Sequence, residues 1–207
     1  MLLPTSQRAA PAHRPACYAC CKPRVACICA SIERVANQTG IIILQHPRER
    51  RHAVGTERIA RLGLATVRVE PCTPWADGAA IRARLPPRTA LLYPAARARQ
   101  LATLPADERP LHLVVLDGTW FHAQKIYDAH PWLRALPPVS LTPGTPSRYR
   151  IRREPQAWCV ATIEPIVDAL RILEPQTRGL DGLLRCFSAM IDRQAAFTPA
   201  PARRARA

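Results

Sequence analysis

The sequence predicts a single α/β domain built on a parallel sheet, and three observations support this fold class. Short aliphatic runs occur at residues 41–45, 89–94 and 111–116, and segments that can form helices follow them. Such runs are too short for core helices and suit strands that are buried on both faces. A length of 207 residues is sufficient for one buried core without disulfide or metal staples.

The third of these runs leads into the strongest candidate for a functional site. The strand at residues 111–116 breaks at Asp117, turns on Gly118 and restarts as a helix that Thr119 can cap. In open α/β sheets ligands bind at the carboxyl ends of strands, so Asp117 is a candidate acid/base group or ligand contact. The alternative is that Asp117 and Thr119 only cap the helix and that Trp120 belongs to the core.

Weaker patterns predict the elements that lie between the first and third runs. A helix is expected to begin at Thr56, and the alternating residues 66–70 predict an edge or half-exposed strand. Residues 77–84 predict a short helical turn. We also expect a helix that carries Arg97 and Arg99 to follow the second strand.

Three further elements are predicted after the central helix. Residues 137–141 predict a short strand. Thr162 is expected to cap an amphipathic helix that tolerates Pro165 in its first turn. Residues 180–196 predict a last helix with a continuous apolar stripe.

An unusual concentration of cysteines lies near the amino terminus. Cys17 and Cys20 form a Cys-x2-Cys knuckle, and Cys27 and Cys29 can complete a tetrahedral zinc site. Cys21 lies next to Cys20 and could take its place. Disulfides are the weaker alternative without an export signal, and four thiolates leave no open position, which predicts a structural zinc. The other cysteines are expected to be small core residues: Cys72, Cys159 and Cys186.

The charge of the chain indicates a polyanionic partner. The formal net charge is +15, and only Lys22 and Lys125 among the 30 basic residues are lysines. The planar guanidinium of arginine suits phosphates and stacked bases, so we expect a nucleic-acid partner. The alternative is that the abundance of Ala, Arg and Pro reflects a GC-rich genome.

Two segments carry the candidate RNA contacts. The loop at residues 46–52 follows the first strand, and residues 147–153 interleave arginines with Tyr149, a pattern suited to unpaired RNA bases. A solvated basic surface is the alternative for both segments. The candidate RNA-binding residues are Arg48, Arg50, Arg51, His52, Lys125, Arg148, Arg152 and Arg153.

The pattern along the chain divides it into four parts. These are a disordered lead-in at residues 1–16, a four-cysteine zinc-binding module at 17–39, a catalytic domain at 40–196 and a basic tail at 197–207. No apolar run approaches the ~20 residues of a membrane span, so we expect no membrane partner. The first sixteen residues lack an apolar signal segment, and the expected location is the cytoplasm.

Six short blocks follow one another along the chain. In chain order they are Arg14-Pro15-x-Cys17-x2-Cys20-x2-Pro23-x3-Cys27-x-Cys29, Gln45-His46-Pro47-x-Glu49, Leu92-Tyr93-Pro94, Asp117-Gly118-Thr119-Trp120, Ser147-Arg148-Tyr149-Arg150 and Thr162-Ile163-Glu164. This order of blocks resembles the DTW-domain family, the tRNA-uridine aminocarboxypropyltransferases, and the resemblance covers roughly residues 14–195. The chain departs from the family pattern at Gly55-Thr56, where many members have Asn-Thr, and at Pro165, where they have alanine.

The resemblance implies a fold and a reaction. The fold would be a SPOUT-like sheet with flanking helices and a trefoil knot near the cofactor site. The reaction would transfer the 3-amino-3-carboxypropyl group of S-adenosylmethionine to N3 of a uridine in tRNA and release methylthioadenosine. Asp117 would act as the general base or would orient the ammonium group of the donor.

Site residues carried over from the family fall into two sets. The catalytic set is Asp117, Thr119 and Trp120. The cofactor-binding set is Leu92, Tyr93, Pro94, Leu116, Gly118, Ser147, Tyr149, Arg150 and Thr162. The target uridine is not fixed by the sequence, although bacterial relatives suggest the variable loop.

Three alternatives stay open. The chain could be an S-adenosylmethionine-dependent RNA methyltransferase, an aminocarboxypropyltransferase that acts on rRNA, or a zinc-knuckle RNA-binding protein without catalysis. SPOUT proteins often form dimers, whereas a chain with its own zinc module and basic arms can act alone. The sequence does not fix the oligomeric state, and we favour a monomer over a dimer.

Overall fold

The computed structural model describes residues 15–52, 54–142 and 161–197. Within them, one parallel sheet has the strand order β2-β1-β5-β3-β6-β4. The strands are β1 (Gly40–Gln45), β2 (Val67–Pro71), β3 (Thr89–Leu92), β4 (Arg99–Gln100), β5 (His112–Asp117) and β6 (Pro138–Ser140). The predicted α/β class is thereby confirmed.

Helices cover both faces of this sheet. They are α1 (Glu57–Gly63), α2 (Ala79–Ala83), α3 (Trp120–Ala129), α4 (Pro131–Ala135), α5 (Ile163–Leu173) and α6 (Leu180–Phe197). Single turns of 3-10 helix occur at Arg24–Ala26, Cys29–Ser31, Glu49–Arg51, Leu101–Thr103 and Ala106–Glu108. In the described parts of the chain, no helix combines the length and apolarity needed to cross a membrane.

The alternation of side chains along β1 divides the core into two apolar clusters. Ile41 and Ile43 face the cluster that contains α1, α5 and α6, and Ile42 and Leu44 face the cluster that contains α3 and α4. All six residues of β1 are buried. This double burial is the reason for the continuous aliphatic run in the sequence, because a strand with a solvent-facing side would alternate with polar residues.

The cysteine-rich segment packs against the same core as the sheet. Cys20 and Ile28 belong to the apolar cluster that includes Phe187 of α6. The Arg193 guanidinium donates a hydrogen bond of 2.9 Å to the carbonyl of Cys27, and Arg61 of α1 donates to the carbonyl of Ala19. The segment is therefore held by both α1 and α6.

Two details of the predicted secondary structure are wrong. The helix expected around Arg97 and Arg99 is replaced by β4, which pairs with β6 and leads into the 3-10 turn Leu101–Thr103. Thr162 occupies the N-cap position directly before α5, as predicted, but it has helical dihedral angles (φ −48°, ψ −35°), and among the described residues its side chain makes no capping bond. The Glu164 carboxylate instead accepts a 2.9 Å hydrogen bond from the N–H of Ala161.

Candidate functional site

The strand order places four loops side by side at the carboxyl edge of the sheet. Adjacent strands lie about 4.8 Å apart, so the loops after β2, β1, β5 and β3 are neighbours in that order. The register pairs Gln45 of β1 with Asp117 of β5 at this edge. The candidate site is built from the side chains that follow these strand ends.

Asp117 occupies the centre of a polar cluster. Gln45 donates a hydrogen bond of 3.0 Å from Nε2 to Oδ2 of Asp117, and the Thr162 hydroxyl donates one of 2.5 Å to Oδ1. The aspartate is 5% exposed, and its backbone carbonyl accepts a hydrogen bond from the N–H of His46. This carboxylate therefore joins β1, β5 and the start of α5 instead of facing apolar packing.

A second carboxylate lies buried near Asp117, and sequence reasoning missed it. Glu57 is 4% exposed, and burial raises its pKa; the negative charge of Asp117 acts in the same direction, and Arg58 opposes both. The Arg58 Nε atom lies 3.6 Å from Oε1 of Glu57. In the sequence these residues resemble a solvated first helical turn, so no local signal predicts their burial.

Arg58 also fixes the loop that follows β1. Its guanidinium donates hydrogen bonds of 2.8 Å to the carbonyl of His52 and 2.6 Å to the carbonyl of Arg50. Arg58 is only 2% exposed. A buried, multiply bonded arginine gives this loop a defined shape, although the loop itself lies at the surface.

Two histidines, neither of them a predicted site residue, stack beside Asp117. The rings of His46 and His122 are 3.9 Å apart and nearly parallel. Burial lowers the pKa of His46, and the nearby charges of His122 and Arg48 lower it further against the effect of Glu49. Oε1 of Glu49 lies 3.8 Å from Nδ1 of His122, which is longer than a hydrogen bond, so the two groups are close neighbours without a hydrogen bond between them. The Gln45-His46-Pro47-x-Glu49 block was the signal that could have identified this group.

Gly118 and Thr119 fulfil the structural roles expected of them. A Cβ atom at Gly118 would lie 3.0 Å from Cβ of His122, so the turn has little space for a side chain. The Thr119 hydroxyl accepts a 3.1 Å hydrogen bond from the N–H of His122, which confirms the predicted cap of α3. Both residues hold α3 close to the end of β5.

Aromatic rings line the other side of α3. Tyr93, which follows β3, stacks on Tyr127 at 4.4 Å and on Trp120 at 5.8 Å. The Tyr93 hydroxyl donates a 2.6 Å hydrogen bond to Oε1 of Gln124, and burial raises the pKa of Tyr93 to about 12. Trp120 is 36% exposed, so its ring lies at the surface beside Tyr93 and is not a core residue.

The predicted cofactor residues fall at two strand ends. Leu92, Tyr93 and Pro94 lie at the end of β3, and Leu116 and Gly118 lie at the end of β5. Thr162 reaches the same edge through its bond to Asp117. Three further residues of this set lie outside the described residues: Ser147, Tyr149 and Arg150.

The predicted RNA-binding residues are only partly described. Arg48, Arg50 and His52 are exposed on the loop after β1. Lys125 is exposed on α3, with its Nζ atom 4.2 Å from the centre of the Phe121 ring. The Arg51 side chain lies outside the description, as do Arg148, Arg152 and Arg153.

Four cysteines converge as the sequence predicts. The sulfurs of Cys17, Cys20, Cys27 and Cys29 all lie within 4.8 Å of one another. The Cys17–Cys29 and Cys20–Cys27 sulfurs are 3.7 and 3.8 Å apart, close to the about 3.8 Å that a tetrahedral zinc with bonds of about 2.3 Å requires. Cys21 is exposed and its sulfur is not part of this group, so Cys20 supplies the second sulfur.

Two further cysteines of the described residues lie apart from this cluster. Cys72 and Cys186 are buried, which confirms their expected place in the core. Cys159 lies outside the described residues.

Fold and site together define an α/β protein with a polar site at the carboxyl edge of a parallel sheet and a separate four-thiol cluster. Residues 14–195 match the DTW domain, and the chain belongs to the DTW-domain family. No solved structure shows a significant match to this chain.

Three curated relatives share most of the chain. The tRNA-uridine aminocarboxypropyltransferase 2 of Drosophila melanogaster is 33% identical over 185 residues, which cover 84% of this chain and 73% of that protein. The Mus musculus protein of the same name is 29% identical over 196 residues, which cover 86% of this chain and 63% of that protein. The tRNA-uridine aminocarboxypropyltransferase A of Arabidopsis thaliana is 28% identical over 204 residues, with shares of 82% and 76%.

Proposed function

We propose that this protein transfers the 3-amino-3-carboxypropyl group of S-adenosylmethionine to N3 of a uridine in tRNA. The observation that carries the proposal is the match to the DTW domain over residues 14–195, with relatives named tRNA-uridine aminocarboxypropyltransferase. The carboxyl edge of the sheet supplies a fixed carboxylate, Asp117, at the place where α/β proteins bind ligands.

The reaction is a single substitution at carbon, and the protein does not need to activate the leaving group. N3 of the uridine loses a proton and forms a bond to Cγ of the donor, while the bond from Cγ to the sulfonium breaks. The electron pair of that bond stays on sulfur, and methylthioadenosine leaves as a neutral thioether. The leaving group is already activated, so the protein must remove the proton and select one of three carbons on sulfur by orientation.

Asp117 suits either of two roles in this step. A carboxylate oxygen has more than one lone pair, so Asp117 can accept a further proton or hydrogen bond beyond those from Gln45 and Thr162. As a general base it would take the N3 proton of the uridine. As an orienting group it would bind the donor ammonium and turn Cγ toward the base. Thr119 and Trp120 would complete the catalytic segment.

The other predicted site residues fall into three groups, according to whether they would bind S-adenosylmethionine, tRNA or zinc. S-adenosylmethionine would lie between the ends of β3 and β5, against Leu92, Tyr93 and Leu116. The tRNA backbone would contact the exposed cations Arg48 and Lys125. Zinc would bind to four sulfurs in a closed structural site: those of Cys17, Cys20, Cys27 and Cys29.

The proposal also covers the fold family, the cellular location and the oligomeric state of the protein. An all-parallel sheet whose central strand β5 lies between β1 and β3 is compatible with a SPOUT-like fold and its trefoil knot. The four thiols support a cytoplasmic location, because reducing compartments keep thiols available for zinc. We propose that the protein acts as a monomer.

Transfer of isotope from the donor distinguishes the possible activities. Unmodified tRNA should gain label from S-adenosylmethionine labelled on the carboxyl carbon and none from donor labelled on the methyl carbon. Methyl transfer would instead identify a methyltransferase. Labelling of rRNA but not tRNA would identify an rRNA enzyme, and no labelling of either would favour a binding protein.

A further inference from the structure

Four rings form a continuous row along the carboxyl edge of the sheet. Trp75 follows β2, His46 follows β1, and Phe121 and His122 open α3 after β5. Trp75 meets His46 edge-on at 6.4 Å, and His46 stacks on His122 at 3.9 Å. The rings of His122 and Phe121 are 6.0 Å apart. We call these four residues the ring row.

The two ends of the ring row are open to solvent, whereas His46 in its centre is buried and His122 is partly buried. Trp75 is 79% exposed and Phe121 is 61% exposed, but His46 is only 4% exposed. Large aromatic rings contribute most when they are buried, so two open rings joined by a rigid centre are typical of a binding surface. The chain therefore presents two flat apolar faces on either side of the His46–His122 stack.

The centre of the ring row adjoins the proposed reaction site. The N–H of His46 donates a 2.8 Å hydrogen bond to the carbonyl of Asp117. A Cβ atom at Gly118 would lie 3.0 Å from Cβ of His122 and 3.6 Å from Cβ of His46. The two exposed rings thus contact histidines that themselves adjoin the end of β5.

Cations accompany the exposed rings. The Lys125 Nζ atom lies 4.2 Å from the centre of the Phe121 ring, and Arg48 and Arg50 are exposed on the loop beside His46. Arg58 holds that loop in place through the carbonyls of Arg50 and His52. An apolar protein surface has no groups that pair with these cations. A nucleic acid has phosphates that pair with the cations and flat bases that stack on the rings.

Unpaired bases match this combination of chemistry. Sequence-tolerant binding of single-stranded RNA combines aromatic stacking of bases with cations along the backbone. A base inside a duplex hides its faces, so the ring row fits nucleotides that have left their helical stack. N3 of uridine lies on the Watson–Crick edge and becomes accessible only in such an unpaired nucleotide.

We propose that Trp75 and Phe121 stack on bases that neighbour the target uridine in unpaired RNA, and so hold that uridine over Asp117. The inference rests on the proposed function for the identity of the uridine. The His46–His122 stack acts as the spacer between the two platforms. Both platforms are positioning residues rather than participants in the transfer.

Binding of unmodified tRNA to the full-length chain tests this inference. Trp75→Ala and Phe121→Ala should each weaken tRNA binding about tenfold, which corresponds to the loss of one stacked base. Trp75→Phe and Phe121→Tyr keep a ring and should stay within about twofold of the wild type. Affinity for S-adenosylmethionine should not change in any of the four variants.

A matched control lies at the opposite edge of the sheet. Leu111 is an exposed apolar residue, 50% accessible, that precedes β5, so Leu111→Ala removes similar surface far from the ring row. This variant should bind tRNA like the wild type. Thermal unfolding of all variants identifies any change that acts through folding.

Salt dependence separates stacking from simple charge attraction. Loss of a stacked base should leave the slope of log affinity against log salt unchanged, whereas Lys125→Ala should reduce that slope by about one phosphate contact. If Trp75→Ala and Phe121→Ala bind tRNA like the wild type, the inference is wrong. A different pair of results would separate the two proposals. If the Ala variants bind tRNA more weakly but the wild type transfers no label, the stacking role of Trp75 and Phe121 is supported and the proposed reaction is rejected.

Discussion

The hydroxyl of Thr162 donates a hydrogen bond to Oδ1 of Asp117 across 45 positions of sequence. This bond joins the first turn of α5 to the end of the central strand β5. Gln45 approaches the same carboxylate from β1, so three separate elements meet on one side chain. Four predictions follow from this cluster and from the four-cysteine group, and each can be checked with a matched variant.

Thr162→Val should impair transfer while keeping the shape of the side chain. The bond to a charged acceptor contributes about 1.5–3 kcal/mol, so kcat/KM should fall by about tenfold to hundredfold. Thr162→Ser retains the hydroxyl and should remain within about threefold of the wild type. Steady-state kinetics measure both values, and full activity in the Val variant would contradict the positioning role of this bond.

Asp117→Asn should abolish transfer without loss of tRNA binding. The amide keeps the size of the side chain but removes the negative charge and the basic oxygen that either proposed role requires. Affinity for tRNA should stay within about twofold, because the phosphate contacts lie on other residues. Asp107→Asn, at an exposed position, is the control for general loss of charge. Residual transfer near the wild-type rate would exclude both roles of Asp117.

The buried Glu57 should make stability depend on pH. Its pKa in the folded protein lies above the unfolded value of about 4.3, so its protonated form stabilises the fold at low pH. This contribution is lost as the pH rises through the raised pKa. Glu57→Gln should therefore unfold less readily than the wild type at neutral pH, with the difference vanishing near about pH 4. Urea titrations from about pH 4 to 8 measure the trend.

A matched carboxylate shows whether that trend is specific. Glu108 forms an exposed ion pair with Arg99, so Glu108→Gln should shift stability little at any pH in this range. Parallel curves for Glu57→Gln and the wild type across the range would show that the folded pKa of Glu57 is not raised.

Removal of zinc should destabilise the whole protein. The wild type should contain one zinc per chain, and Cys20→Ser should lose both the metal and several kcal/mol of stability, as in other structural zinc sites. Cys21→Ser should keep the metal, because Cys21 lies outside the four-sulfur group. Elemental mass spectrometry and thermal unfolding provide the measurements. Full zinc content in Cys20→Ser would exclude that sulfur as a ligand.

The sequence was most informative where a local residue pattern had a single structural explanation. The aliphatic run of β1 predicted burial on both faces, and the spacing of four cysteines predicted that their sulfurs converge. Asp117 was predictable as a polar residue at a strand end. In each case the signal lay within a few neighbouring residues.

The rest depended on contacts between distant segments. Thr162 looked like a helix cap, but its hydroxyl turns to Asp117 instead. Glu57 and Arg58 looked like surface charges, and only the packing of α1 against the sheet buries them. The His46–His122 stack joins the loop after β1 to the first turn of α3. No local pattern in the sequence indicates that this loop and this helix will be adjacent.

The attachment of the cysteine-rich segment to α6 has a consequence for synthesis of the chain. Arg193 contacts the carbonyl of Cys27, and Phe187 shares the apolar cluster of Cys20 and Ile28. The cysteine-rich segment thus leaves the ribosome long before its packing partner on α6 emerges. Binding of a metal by the four cysteines would stabilise this segment locally before α6 is synthesised. A nascent chain that stops before α6 would lack the residues that complete its apolar core.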